Sequence, residues 1–147
     1  MRPPHLRTTV RRYVLDANAL IGFFEGRPGI SEKVLRLLDE ASRQDKFLFM
    51  SAVNWGEVFY TEWRYYGETK AREAEARVLE MPIAVIAVDR ERASRAGALK
   101  EKHGLGYADA FAAELAIERD AWLVTADPAF AKMGKSLLMY PLPRHKK

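Results

Sequence analysis

Five short apolar runs without polar alternation constrain this chain more than any other feature. They are Tyr13-Val14-Leu15, Phe47-Leu48-Phe49-Met50, Ala84-Val85-Ile86-Ala87-Val88, Trp122-Leu123-Val124 and Leu137-Leu138-Met139-Tyr140. A strand with one wet face alternates apolar and polar residues. An unbroken short run suits a strand covered on both faces, as in a parallel sheet. Between the runs the period changes: Val34, Leu37, Leu38 and Ala41 recur at helical spacing, as do Ala108, Phe111, Ala112, Leu115 and Ala116. Ser51 can cap a helix that runs to about Tyr66 and ends at Gly67. A second helix, about Glu68 to Leu79, stops near Pro82. Asp89 can cap a third, which ends near Gly104. Strands alternating with helices predict an α/β fold with right-handed crossovers. No repeat, linker or low-complexity block divides it.

The 147 residues suit one domain, 1–147, with short basic tails at about 1–11 and 143–147. There is no cysteine, so no disulfide is available. No apolar run approaches the ~18–20 residues of a membrane span. Met1 to Arg12 has no apolar core of the kind a secretory signal needs. These features predict a cytoplasmic protein with no membrane partner. Seven of the 24 lysines and arginines (Arg2, Arg7, Arg11, Arg12, Arg144, Lys146, Lys147) sit in the tails, leaving 17 against 20 acidic residues in the body. Basic tails can hold a polyanion without reading sequence, or they can simply keep the protein soluble.

Most acidic residues sit among lysines and arginines on helices and read as solvated faces. Four do not. Asp16 ends the first apolar run and Asp127 follows the fourth. Asp109 lies in the first turn of an apolar helix, and Glu57 about two turns into the helix after the second run. In an α/β sheet, strand C-termini and the N-termini of the following helices share one edge, where ligands bind at a reversal of strand order. Singly, Asp109 or Glu57 can be helix decoration; four acids at one edge need another account. Two carboxylates about 6 Å apart repel by roughly 2–3 kcal/mol at an effective dielectric of about 20. Four make six pairs, on the order of 10–15 kcal/mol if all are ionised. Such a site takes up protons or binds a cation. All-oxygen ligands select one or two hard ions, Mg²⁺ or Mn²⁺, which bind phosphate oxygens and assist phosphodiester cleavage. Asn18 and Thr125 lie within two residues of Asp16 and Asp127. Either can orient a carboxylate; equally, Asn18 can cap a helix and Thr125 can be an ordinary strand-end residue. His103, at a helix end, reads as a dipole contact.

Four segments resemble PIN domains, in particular the VapC-type toxin ribonucleases of toxin–antitoxin pairs: YVLDANALIGFFEG (Tyr13 to Gly26), SAVNWGEVFY (Ser51 to Tyr60), GYADAFAAELA (Gly106 to Ala116) and LVTADPAF (Leu123 to Phe130). The likeness covers about positions 12 to 142. It implies a three-layer α/β/α sandwich on a five-stranded parallel sheet of order 3-2-1-4-5. It implies a metal-dependent endoribonuclease with Asp16, Glu57, Asp109 and Asp127 as catalytic and metal-binding residues, supported by Thr125. Asn18 stands where the family often has Thr or Ser. The resemblance also implies an RNA substrate, a homodimer, and an antitoxin whose tail occupies the acidic groove.

The stretch Asn54 to Tyr66 holds six aromatics. Trp55, Phe59, Trp63 and Tyr66 can form a core-facing side, with Tyr60 and Tyr65 elsewhere, so the helix reads either as core or as an interface. Three rivals remain. A phosphohydrolase with an aspartyl nucleophile would carry aspartate where Asn18 stands. A non-catalytic RNA-binding module of the same fold has no use for four acids. A DNA-directed nuclease of this type usually carries larger insertions.

Overall fold

A computed structural model of the protein describes residues 11–144. In chain order it contains β1 (Arg11–Leu15), α1 (Ala17–Phe24), α2 (Ile30–Ser42), β2 (Lys46–Ser51), α3 (Ala52–Tyr66), α4 (Glu68–Glu80), β3 (Ile83–Ile86), α5 (Arg90–His103), α6 (Tyr107–Glu118), β4 (Trp122–Thr125), a 3-10 segment (Pro128–Ser136) and β5 (Met139–Pro141). The strands pair in parallel in the order β3-β2-β1-β4-β5. This is the expected α/β/α architecture. Along β1 the side chains alternate between faces. Tyr13 and Leu15 join a core with Leu20, Val34, Met50 and Val58, whereas Val14 joins the opposite core with Phe111, Leu115, Leu123 and Phe130. The first core is supplied by α1 to α4 and the second mainly by α5 and α6.

The local signals set the helix ends. Ser51 accepts a hydrogen bond from the Val53 amide at the start of α3, and Asp89 accepts one from Arg92 at the start of α5. Gly104 ends α5 in the left-handed conformation, φ 69°, which glycine adopts without penalty. In α6 every residue from Ala110 to Ala116 is buried. Its alanines let it lie close against the sheet, and its buried Glu114 is held by Arg92 and Arg95 of α5.

Three sequence expectations need correction. The third apolar run predicts a strand over 84–88, but β3 spans Ile83–Ile86 and Val85 is 41% exposed. As an edge strand it is not covered on both faces, and Ala87 and Val88 leave it to reach the Asp89 cap. The fifth run predicts 137–140, but Leu137 is buried in the second core before β5 starts, and the strand extends to Pro141. A proline lacks the amide a central strand would need, and an edge strand tolerates it. On α3 the buried stripe is Asn54, Val58 and Glu62, not the aromatics. Trp55 and Phe59 are partly buried, while Trp63 and Tyr66 are exposed. Residues four apart share a helix face, and the face toward the first core is the one carrying Val58. Of the predicted tails, Arg2, Arg7, Lys146 and Lys147 lie outside the described residues. Arg11 and Arg12 open β1, opposite Lys46 and Phe47 of β2. No helix among the described residues is long and apolar enough to cross a membrane.

The angle of α1 on α2 depends on a missing side chain. A Cβ on Gly22 would stand 2.7 Å from Cγ2 of Ile30 and 3.1 Å from its Cδ1. Both atoms belong to a branched side chain 1% exposed, which has nowhere to move. Gly22→Ala is therefore expected to lower stability by about 1–3 kcal/mol, measured by urea denaturation, although alanine is the better helix former. Ile30→Ala in the same chain should recover part of the Gly22→Ala loss; additive losses would show that the contact is not the cause.

Candidate active site

Strand order reverses between β1 and β4, so their carboxyl ends open the crevice where α/β sheets bind ligands. Asp16 is the first residue past β1, and its amide continues the ladder by donating to the Val124 carbonyl at 3.0 Å. Its side chain caps α1. Oδ1 accepts from the Ala17 amide at 2.8 Å; Oδ2 accepts from Asn18 Nδ2 at 3.0 Å and from the Thr125 hydroxyl at 2.9 Å. A carboxylate has about four acceptor positions. Three are taken, which leaves one on Oδ1 for a ligand.

Asn18 does not cap the helix; Asp16 does. Instead Asn18 joins β1 to β4. Its Nδ2 also donates to Thr125 Oγ1 at 3.2 Å, and its Oδ1 accepts from the Ala126 amide at 3.0 Å. The Thr125 hydroxyl in turn accepts from the Asp127 amide at 3.0 Å. Asp127 Oδ1 caps the 3-10 segment by accepting from Ala129 at 2.9 Å. Asp16, Asn18, Thr125 and the backbone of Asp127 thus form one network in which the buried polar groups have partners.

Asp109 lies in the first turn of α6, where no side chain occupies the cap position at Gly106. Glu57 faces it from α3. The four carboxylates share one field. Asp16 is acted on by the charges of Asp109 and Glu57, and Asp109 by those of Asp127 and Glu57. Burial lifts the Asp16 carboxyl from 3.8 to about 7; the Thr125 hydrogen bond opposes this and the charge of Asp109 adds to it. Burial, then the charges of Asp127 and Glu57, lift Asp109 to about 6, with Lys132 working the other way.

Sequence reasoning missed Asn54. It is fully buried, and its Nδ2 donates to Glu57 Oε1 at 2.9 Å and to the Ala108 carbonyl at 3.0 Å. One amide thereby fixes the Glu57 carboxylate and ties α3 to the residue before Asp109. The signal was present as an asparagine three residues before a glutamate, one turn apart on one helix face.

The donor set is oxygen only, which fits a hard divalent cation. Among the described residues no three His, Cys, Asp or Glu side chains stand as a ready-made cage. The arrangement suits an ion held by one or two carboxylates and otherwise by water and substrate oxygens, the habit of Mg²⁺.

The PIN domain family profile matches residues 13–136. No curated protein sequence matches the chain. Among solved structures, the VapBC2 complex of Rickettsia felis bound to promoter DNA is similar at 20% identity and TM-score 0.68, covering 89% of this chain and 98% of the other. The DNA-bound VapBC of Salmonella typhimurium is similar at 16% identity and TM-score 0.69, covering 89% and 98%. VapC20 of Mycobacterium tuberculosis, a toxin that cleaves the sarcin–ricin loop, is similar at 16% identity and TM-score 0.67, covering 83% and 95%. At these identities the likeness shows a shared fold.

Two outcomes follow from this geometry. A carboxyl whose pKa is raised on folding binds its proton more tightly in the native state. Its stabilising effect is full below about pH 4 and is lost as pH rises to about 7, up to about 4 kcal/mol for Asp16. Metal-free protein should therefore melt at lower temperature as pH rises from 5 to 7.5, and Asp16→Asn should flatten that profile. A parent profile that is flat or rises over this range would contradict the assignment. Asn54→Ala should cost about 1–3 kcal/mol in urea denaturation, and Asn54→Asp more, because it sets a second carboxylate against Glu57.

Proposed function

The chain belongs to the PIN domain family, and from that premise we propose that it is a divalent-metal-dependent endoribonuclease, the toxin of a toxin–antitoxin pair. The observation that carries this reading is the convergence of Asp16, Glu57, Asp109 and Asp127 on the crevice between β1 and β4, with two of the four carboxyls raised in pKa. A cluster of this kind is costly with nothing bound and favourable around a cation. Support for RNA as substrate comes from VapC20, a structurally similar toxin that cleaves the sarcin–ricin loop. The whole chain, 1–147, would act as one nuclease domain.

Mg²⁺ or Mn²⁺ at this site supplies positive charge to phosphate oxygens and makes water a stronger nucleophile near neutral pH. Asp16 and Asp109 would hold the cation, and both must lose their protons first, so activity should rise with pH through about 6 to 7. Asp127, fixed by its bond to the Ala129 amide, and Glu57, fixed by Asn54, would complete the acidic set and orient waters. Asn18 and Thr125 would keep Asp16 in one rotamer with a single oxygen lone pair facing the crevice. Both Nδ2 hydrogens of Asn18 and the Thr125 hydroxyl hydrogen are used within the network, so neither residue has a donor left for substrate.

The partner in this reading is an antitoxin that inserts a basic side chain among the carboxylates. A guanidinium can bridge two carboxylates bidentately and compete with metal. The enzyme itself would be a homodimer.

Asp16→Asn, Asp109→Asn and Asp127→Asn should each lower RNA cleavage by about 100-fold or more while the protein stays folded, and Glu57→Gln should also be severe. Cleavage should stop in EDTA and return with millimolar Mn²⁺. Parallel assays on RNA and DNA of the same sequence check the substrate class. Cleavage at the parent rate by any of the three aspartate variants would refute the site, and EDTA-resistant cleavage would refute the metal.

A further inference from the structure

Beside the acidic crevice, where β4 and β5 end, lies a cavity of about 190 Å³. Thr125 and Asp127 line it, so it is continuous with the acidic edge. Its remaining walls are mostly apolar, with Pro128 on one side and Met139 and Pro141 on the other, and Arg144 completes them. The volume is below the roughly 300–1,000 Å³ of sites for drug-sized ligands. It is on the scale of a single planar ring.

Arg144 is held in place by the residues before it. The Leu142 amide donates to the Thr125 carbonyl at 2.8 Å and carries the β4–β5 ladder one step past Pro141. The Leu142 side chain is buried in the first core. Pro143 lies against the backbone of Gly29, where an added Cβ would stand 2.7 Å from its Cγ. The arginine that follows is exposed, and among the described residues it enters no ion pair. Asp127, the acid on the same wall, is engaged elsewhere: its Oδ1 accepts from the Ala129 amide and its charge acts on Asp109. The sequence past Arg144 stays basic, with Lys146 and Lys147.

We propose that this cavity holds one nucleotide of the RNA strand next to the cleavage point, with its base among Pro128, Met139 and Pro141 and its phosphate on Arg144. The proposal rests on the reading that the acidic edge cleaves RNA, and it names a contact that edge lacks. Four carboxylates repel a phosphodiester chain, so a chain that crosses them needs a cation beside them. A guanidinium meets a phosphate bidentately. The apolar walls select what comes with the phosphate. A flat ring buries apolar surface between two prolines, and a thioether is a favourable neighbour for an aromatic ring.

The test uses the full chain, isotopically labelled and kept in EDTA, titrated with adenosine 5′-monophosphate and followed by amide chemical shifts. Ribose 5-phosphate is the control without a base. Saturable shifts at Ala126, Asp127, Met139, Leu142 and Arg144 are expected, with the nucleotide binding more tightly than the sugar phosphate. Arg144→Gln should weaken both ligands about fivefold or more. Pro141→Ala should weaken the nucleotide and leave the sugar phosphate unchanged. For single-stranded oligoadenylate in EDTA, Arg144→Gln should reduce the slope of log affinity against log salt by about 0.7. Equal binding of the two ligands would make this a plain phosphate site and overturn the proposal. Unchanged affinity or an unchanged salt slope in Arg144→Gln would overturn it too. Shifts at these amides with N-acetyl-leucine methylamide and none with the nucleotide would assign the cavity to a protein side chain, again overturning it. Cleavage enters none of these readouts, so a failure here leaves the nuclease reading standing, and a failure in the nuclease assay does not alter them.

Discussion

Placing four carboxylates at one sheet edge is the constraint on which the rest of this structure depends. Their mutual repulsion opposes folding, and the fold answers it locally. Asp16, the most buried of the four, is bound on three sides by the Ala17 amide, Asn18 and Thr125. These groups join the C-terminal ends of two adjacent strands, so the network that holds the carboxylate also fixes β1 against β4 at the switch point. The price is a carboxyl that prefers its proton until about pH 7. A carboxyl held this way relieves part of the repulsion by keeping its proton.

Much of this was legible in the sequence because the relevant signals are local. A strand-end aspartate, a first-turn aspartate and the Ser51 and Asp89 caps each depend on a few neighbouring residues, and the apolar runs give the order of elements. Strand adjacency came from the family resemblance, since nothing in the runs of β1 and β4 says that they pair. What stayed hidden depends on tertiary packing. β3 and β5 read as fully covered strands because apolar content does not distinguish a central from an edge position, and Val85 and Leu137 settle differently for that reason. The role of Asn18 could not be separated from helix capping, because both use the same amide at the same place; only the proximity of Ala126 and Thr125 decides it.

The α3 helix gave the least reliable pattern and the most informative outcome. Four of its six aromatics, Trp55, Phe59, Trp63 and Tyr66, fit either a core face or an interface, yet its buried stripe is Asn54, Val58 and Glu62. The aromatic stripe turns toward α4, where Arg72 lies over Phe59 and Trp63, and its far end stays exposed. Burial of two polar side chains on one helix face is unfavourable unless each has a use. Asn54 has one in the structure, because it clamps Glu57 and the backbone leading into Asp109. For Glu62, Oε1 has no hydrogen-bond partner among the described residues. The same helix therefore carries the acidic edge at its N-terminal half and, at its C-terminal half, a carboxyl whose pKa is raised by burial and by the charge of Glu25.

The central claim is that the Asp16, Glu57, Asp109 and Asp127 carboxylates together form a divalent cation site. Anomalous diffraction from crystals soaked in Mn²⁺ tests it most directly. The account predicts a peak in the crevice between β1 and β4, within coordination distance of Oδ1 of Asp16 and of an oxygen from at least one of the other three carboxylates. A crevice with no peak at millimolar Mn²⁺ near pH 7.5, or Mn²⁺ bound only elsewhere on the surface, would contradict it.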